Sequence, residues 1–169
     1  MEPLDVIAER RSVRAYSERP VSDEVLEDLL RAAMAAPSAG NEQPWHFIIV
    51  RSSEQRDAVA RVHPYAQMVK QAPLAIVVCG DPALQKYEGF WVQDCSAAVE
   101  NLLLAAKALG LGGVWCGVHP VNEREAALRE VLGIPHEIIP FAVIAVGHPA
   151  EHPASADRYK RERVHEERW

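Results

Sequence analysis

Apolar positions recur along this chain with two periods, one helical and one alternating or continuous, and prolines and glycines punctuate the changes between them. Leu4, Ile7 and Ala8 share one face of a short helix predicted over 3–11, with Pro3 near its start. Ser22 reads as the N-cap of a second helix. Asp23 and Glu24 occupy its first turn, where the helix dipole favours acids, and Leu26, Leu29, Leu30 and Ala33 keep helical spacing up to Pro37. Trp45–Val50 is predicted as a strand entering a core, Glu54–Val62 as a polar helix stopped by His63 and Pro64, and Tyr65–Gln71 as a short helix broken before Pro73. Leu74–Cys79 is a continuous apolar run of buried-strand type, closed by Gly80-Asp81-Pro82.

A long helix is predicted from Phe90 to Leu109, without a proline. Ala98, Leu102, Ala105 and Leu109 mark one apolar face, and Val99, Leu103 and Ala106 a second, so this helix belongs inside a core or against another subunit. Gly110, Gly112 and Gly113 end it, and Val114–Val118 is a third strand. Asn122 with Glu125 forms an NxxE variant of the capping box for a helix running to Leu132, which Gly133 closes. Phe141–Val146 is the fourth strand, after which the chain turns polar and ends in RYKRERVHEERW.

The chain has 169 residues, the length of one domain with a substantial core, and no repeat or linker divides it. A net charge of −6 gives no general attraction to nucleic acid or to an anionic membrane. The longest apolar runs, such as FAVIAV, are far short of a membrane span, and MEPLDVIAERR has no signal-peptide core. Three cysteines, odd in number and widely spaced, suit a reduced, cytoplasmic setting. Familiar sites are excluded by spacing. GLGG at 110–113 places Trp115 where a dinucleotide fingerprint needs glycine or alanine, no phosphate-binding GxxxxGK[ST] loop exists, and Ser38 follows Ala36 and not the glycine of a nucleophile elbow. The seven histidines show no metal-ligand spacing.

Two stretches stand out. In APSAGNEQPWHFIIV (36–50), Pro37 ends a helix, Ser38, Ala39 and Gly40 leave the backbone uncovered, and Asn41 and Gln43 add donors and acceptors, a surface suited to a flat ligand. The plain alternative is a tight helix-to-strand connection. In RRSVRAY (10–16), Arg10, Arg11 and Arg14 surround Ser12 where a helix gives way to extended chain, and guanidinium groups so spaced can converge on one phosphate. The alternative here is a solvated basic helix end.

Together with QDCSAAVENLLLAAKALGLGGVWCG (93–117) and the basic C-terminal ending, these stretches resemble the small FMN-dependent nitroreductase family over nearly the whole chain. The resemblance implies an α+β fold, a mostly antiparallel central sheet flanked by helices, formed by residues 1–153. An arm of residues 154–169 would be exchanged in a homodimer. It implies that Arg10, Arg11, Ser12 and Arg14 hold the FMN phosphate and ribityl chain, with Arg158 returning to the phosphate. Pro37, Ser38, Ala39 and Asn41 would border the flavin ring from the other subunit. Cys116 and Gly117 would present backbone to its reactive edge. Lys70 is the counterpart of a family lysine at the flavin pyrimidine, and Gly117 stands where larger members carry Glu, which implies a more open pocket. The flavin would carry the chemistry, with no catalytic side chain and no metal. NADH or NADPH and a small oxidised aromatic acceptor, a nitroaromatic or a quinone, would alternate at one slot with ping-pong kinetics. A non-catalytic flavin protein for storage or sensing, or the same fold with another flavin chemistry such as dehalogenation, is the rival expectation.

Overall fold

The apolar periodicities resolve into five helices and four strands in the computed structural model, which describes residues 2–169. In chain order they are α1 (Pro3–Glu9), α2 (Asp23–Met34), β1 (Trp45–Val50), α3 (Ser53–Val62), β2 (Leu74–Gly80), α4 (Trp91–Ala108), β3 (Gly112–Gly117), α5 (Asn122–Leu132) and β4 (Ile139–Gly147). Short 3-10 turns fill three of the connections. The sheet order is β1-β2-β4-β3 and every strand pair is antiparallel, as the α+β expectation requires. A slip in pairing between Val78 and Cys79 bulges the middle of the sheet.

Strand alternation sorts the core into two halves. Leu74, Ile76, Val78, Ile144 and Val146 face α2 and α4, while Ala75, Val77, Cys79, Val143 and Ala145 face α3 and α5. β2 is buried along its whole length, and β4 in all but its first residue, which is why they read as continuous apolar runs. α4 buries Cys95, Ala98, Val99, Leu102 and Ala106 against the sheet. Its other apolar face, with Leu104, Ala105 and Ala108, borders an open hollow shared with Pro3, Val6 and Ile7 of α1 and Ala32 and Ala35 at the end of α2. Ile7, which lines it, is 56% exposed, and Leu4 of α1 and Met34 at the end of α2 are 78% and 51% exposed.

Ser22 caps α2 as expected, accepting the Val25 N–H at 3.3 Å. Two local expectations differ. Tyr65–Gln71 is no α-helix: Gln67–Lys70 forms a single 3-10 turn, because two prolines within ten residues leave too little chain to nucleate one. The Asn122–Glu125 capping box does not form. Val121 is the N-cap, and Glu125 instead accepts from His119 Nδ1 at 2.8 Å. The third strand also begins two residues early, at Gly112, where a Cβ would lie 2.7 Å from that of Val13.

Residues 154–169 hold one 3-10 turn, Arg161–Arg163, and are exposed throughout. Tyr159, Val164 and Trp169 are 67%, 46% and 101% exposed.

Candidate functional site

The arginine-rich segment runs along the outer edge of β3. Ser12 makes a parallel bridge to Gly113, whose carbonyl accepts the Val13 N–H at 3.1 Å. Val13 and Tyr16 turn inward, and the Tyr16 hydroxyl sits between the carbonyls of Val13 and Ala145. Burial pushes that phenol well above its ordinary range, with Cys116 and Glu151 adding to the shift.

The three arginines have different duties. Arg10 Nε pairs with Glu100 Oε1 of α4 at 3.3 Å. Arg11 donates to the carbonyls of Ala8, Arg10, Ala154 and Ala156, so its guanidinium ties the C-terminal segment to the end of α1. Arg14 is exposed and its guanidinium has no carboxylate partner among the described residues, although Glu151 accepts the backbone N–H groups of Arg14 and Ala15. Arg158 lines one surface hollow with Arg10, Arg11 and Ser155. Cationic side chains from both ends of the chain therefore meet at the end of α1.

The end of β3 is held from the α5 side. The Gly117 carbonyl accepts from His63 Nε2 at 2.9 Å and from Arg124 Nη1 at 3.0 Å, and the Arg124 guanidinium lies over the Tyr65 ring, 5.1 Å from its centre. His63 is fully buried, and burial, with Arg124 adding, holds its imidazole below the ordinary histidine range. Its Nδ1 has no partner among the described residues. The Cys116 thiol points at the Tyr65 carbonyl, 3.4 Å away, and burial pushes it up to about 11 despite the charge of Arg14. Gly117 itself is exposed, and a Cβ there would meet nothing within 4 Å, so the strand end opens onto unfilled space.

The loop after α2 is the most contorted backbone in the molecule. Gly40, Asn41 and Gln43 have φ of 54°, 57° and 50°, in the left-handed region that glutamine rarely enters. The loop is pinned at five points. Ser38 Oγ accepts the Gln43 N–H at 3.0 Å, and the side chains of Gln43 and Asn41 bond each other at 3.0 Å. Asp94 Oδ1 accepts the Ala39 N–H at 3.0 Å, Lys86 Nζ donates to the Gly40 carbonyl at 2.6 Å, and Glu42 Oε2 accepts the N–H groups of Lys86 and Tyr87.

Within one chain, then, Arg10, Arg11, Ser12 and Arg14 follow one another past the edge of β3, Arg158 meets Arg10 and Arg11 at the end of α1, and Cys116 and Gly117 stand at the strand end. Pro37, Ser38, Ala39 and Asn41 lie apart, in a loop packed on the N-terminal end of α4. Lys70 is exposed, and its carbonyl accepts from Arg56 at 2.9 Å. Sequence reasoning passed over His63, Arg124, Glu42, Asp94 and Glu151. None of these left a distinct signal; even Asp94, between Trp91 and Cys95, sits in the first turn of a helix, where an acid is favoured.

A helix-covered antiparallel sheet with arginines beside one edge strand and an open strand end beyond them defines an α+β protein. The chain belongs to the nitroreductase family, whose sequence model matches residues 7–66 and 59–148. It is 52% identical over 172 residues, 99% of either chain, to an Archaeoglobus fulgidus protein provisionally named NADH dehydrogenase/NAD(P)H nitroreductase. A solved Clostridium acetobutylicum structure, provisionally named an NADH oxidase, superposes with a TM-score of 0.94 at 44% identity, covering 98% of this chain and 100% of that one. A provisionally named nitroreductase from Desulfovibrio desulfuricans, solved in complex with FMN, superposes with a TM-score of 0.88 at 35% identity, covering 100% and 98%. Among the described residues no helix is long and apolar enough to cross a membrane.

Proposed function

We propose that this chain is an FMN-dependent oxidoreductase that uses NADH or NADPH to reduce nitroaromatics, quinones or similar small oxidised aromatic acceptors, the two substrates alternating at one slot. The family and the FMN-complexed relative support the cofactor and the enzyme class. The observation that carries the reading is Arg14, a guanidinium with no carboxylate partner beside an edge strand whose far end opens onto unfilled space.

The residues present fit the group. A phosphate dianion needs charge-assisted donors, which Arg14, Arg10 and Arg158 supply, with Ser12 between Arg10 and Arg14 in the chain and Arg11 holding the C-terminal segment to α1. The backbone of Cys116 and Gly117 faces the ring edge, and its rigidity comes from the two donors that hold the Gly117 carbonyl. Bound FMN supplies the hydride chemistry, so the protein needs neither nucleophile nor general base. Glycine at 117 leaves the space above the strand end open to acceptors of varied shape.

Pro37, Ser38, Ala39 and Asn41 border the ring from a second subunit, in a homodimer with two flavins at its interface. Two features support this assembly. One is the apolar surface of Leu4, Ile7, Met34 and Leu104; the other is the arm 154–169, which leaves Tyr159, Val164 and Trp169 in water in the isolated chain. Residues 1–153 form the flavin-binding domain and the arm packs on the partner.

The visible spectrum of the purified protein is the direct test. A flavin spectrum, FMN and not FAD on release, bleaching with NADH or NADPH without air, and recovery with a quinone are expected. A colourless protein that takes up no added FMN would end the reading. Bound FMN that no nicotinamide nucleotide bleaches would make this a storage or sensing protein.

A further inference from the structure

Glu42 and Asp94 are 7% and 5% exposed, which is rare for carboxyl groups, and each has one oxygen committed and one orphaned. Glu42 Oε2 takes the N–H groups of Lys86 and Tyr87, and Asp94 Oδ1 takes the N–H of Ala39. The oxygens left over, Glu42 Oε1 and Asp94 Oδ2, are buried without any other partner, and the two side chains lie within hydrogen-bonding reach of each other. Two carboxylates facing across a buried gap repel, whereas a single proton between them satisfies both orphaned oxygens at once.

We infer that Glu42 and Asp94 hold one proton between them, and that this proton latches the contorted loop 37–43 onto α4 and onto the segment after β2. Three pieces of chain meet at this pair, the Lys86–Gly40 bond and the Tyr87 ring against Gly40 lie beside it, and the left-handed Gln43 is one residue beyond Glu42. Removing the proton places two like charges at the point that holds the strain down, and the loop lifts.

The groups that bear on the pair agree with this. Burial raises Asp94 above the usual carboxyl range; the Ala39 N–H opposes, and the hydrogen bond and charge of Glu42 add to the rise. Burial also works to raise Glu42, but the Lys86 N–H, Asp94, the Tyr87 N–H and the Lys86 ammonium together bring it below its ordinary value. On α4 the next titratable group is the Cys95 thiol, pushed up to about 12 by burial and then by Asp94, so it stays neutral throughout. A folded state that keeps a proton which the unfolded chain has lost is stabilised at lower pH and loses that stability as pH rises through the folded value. The latch therefore opens on the alkaline side.

Amide exchange by NMR on the full chain reads the latch directly. As pH rises from about 4 to about 9, and after correction for intrinsic rates, the protection of Ala39, Lys86 and Tyr87 is lost relative to that of Ile144 in β4. Asp94→Asn offers a permanent amide donor to Glu42, and Glu42→Gln one to Asp94, so in either variant the fall disappears. Wild-type protection that stays level across this range, or variants that lose it as the wild type does, would overturn the inference. The readout is the loop's own amides and does not depend on any flavin. Only the consequence, weaker ligand retention at alkaline pH, rests on reading this loop as a border of the flavin.

Discussion

Replacing Arg14 with alanine probes the proposed anion site while disturbing little else. The side chain is exposed and has no carboxylate partner among the described residues. The contact that orders this stretch is made by the backbone N–H of residue 14 to Glu151, and alanine keeps it. Stability should therefore stay within about 0.5 kcal/mol of wild type. A charge-assisted contact to phosphate contributes about 1.5–3 kcal/mol, so the FMN dissociation constant should rise about 10- to 150-fold. A guanidinium acting only at long range through solvent would give a far smaller effect, erased by raising the salt. Neighbouring arginines are poorer probes. Arg10→Ala releases Glu100, and Arg11→Ala strips four carbonyls of their donor and frees the C-terminal segment. Quenching of FMN fluorescence at about 0.15 M salt, beside a thermal scan, measures both quantities. An Arg14→Ala protein of unchanged melting temperature that binds FMN as tightly as wild type would refute the phosphate assignment.

Three further outcomes follow from the same geometry. Truncation after Pro153 should weaken dimerisation and flavin retention together, since one arm is proposed to serve both; sedimentation and flavin absorbance check it, and a yellow, dimeric truncation would make the arm a solvated appendage. Gly80→Ala places a Cβ 2.2 Å from Cε3 of Trp91, whose ring is hemmed in by His119 and Phe141 at 4.8 and 6.0 Å; overpacking of this kind costs about 1–3 kcal/mol, a fall of about 2–12 °C in melting temperature. His63 is held neutral by burial, so it contributes stability that is present above about pH 6.5 and lost as pH falls toward its lowered folded value; the urea midpoint should drop on acidification, and less steeply in His63→Gln.

Much of the fold was legible because its signals are local. Ser22 beside Asp23 and Glu24, and the proline-free run after Phe90, carry their own physics within one or two turns. Where the sequence misled, a residue outside the element had taken the place of a local partner. Glu125 at Asn122+3 has the spacing of a capping box, yet the histidine at 119 claims its carboxylate. Gly112 and Gly113 read as helix terminators, but Val13, from another part of the chain, sits where the Cβ of Gly112 would be, and Leu103 crowds that of Gly113, so both join β3. The arginine cluster was visible as a cluster. That Arg11 is consumed by Ala154 and Ala156 while Arg14 is left open was not, because that pairing closes over nearly the whole chain.

The buried carboxyl pair shows the same limit most clearly. Glu42 lies in a polar run with Asn41 and Gln43, where an acid would ordinarily be solvated, and Asp94 lies in the first turn of α4, where the helix dipole alone would account for it. Neither position looks costly by itself. The cost arises when the backbone path through Gly40, Asn41 and Gln43 carries Glu42 beneath the loop and against α4, and no solvent remains to share the charge. A loop with three left-handed residues needs an anchor stronger than its own turn bonds, and an ordinary apolar anchor could not also accept the N–H groups of Ala39, Lys86 and Tyr87. A carboxyl pair does both, but only with a proton between its members, so the requirement that makes it a good anchor also makes it sensitive to pH.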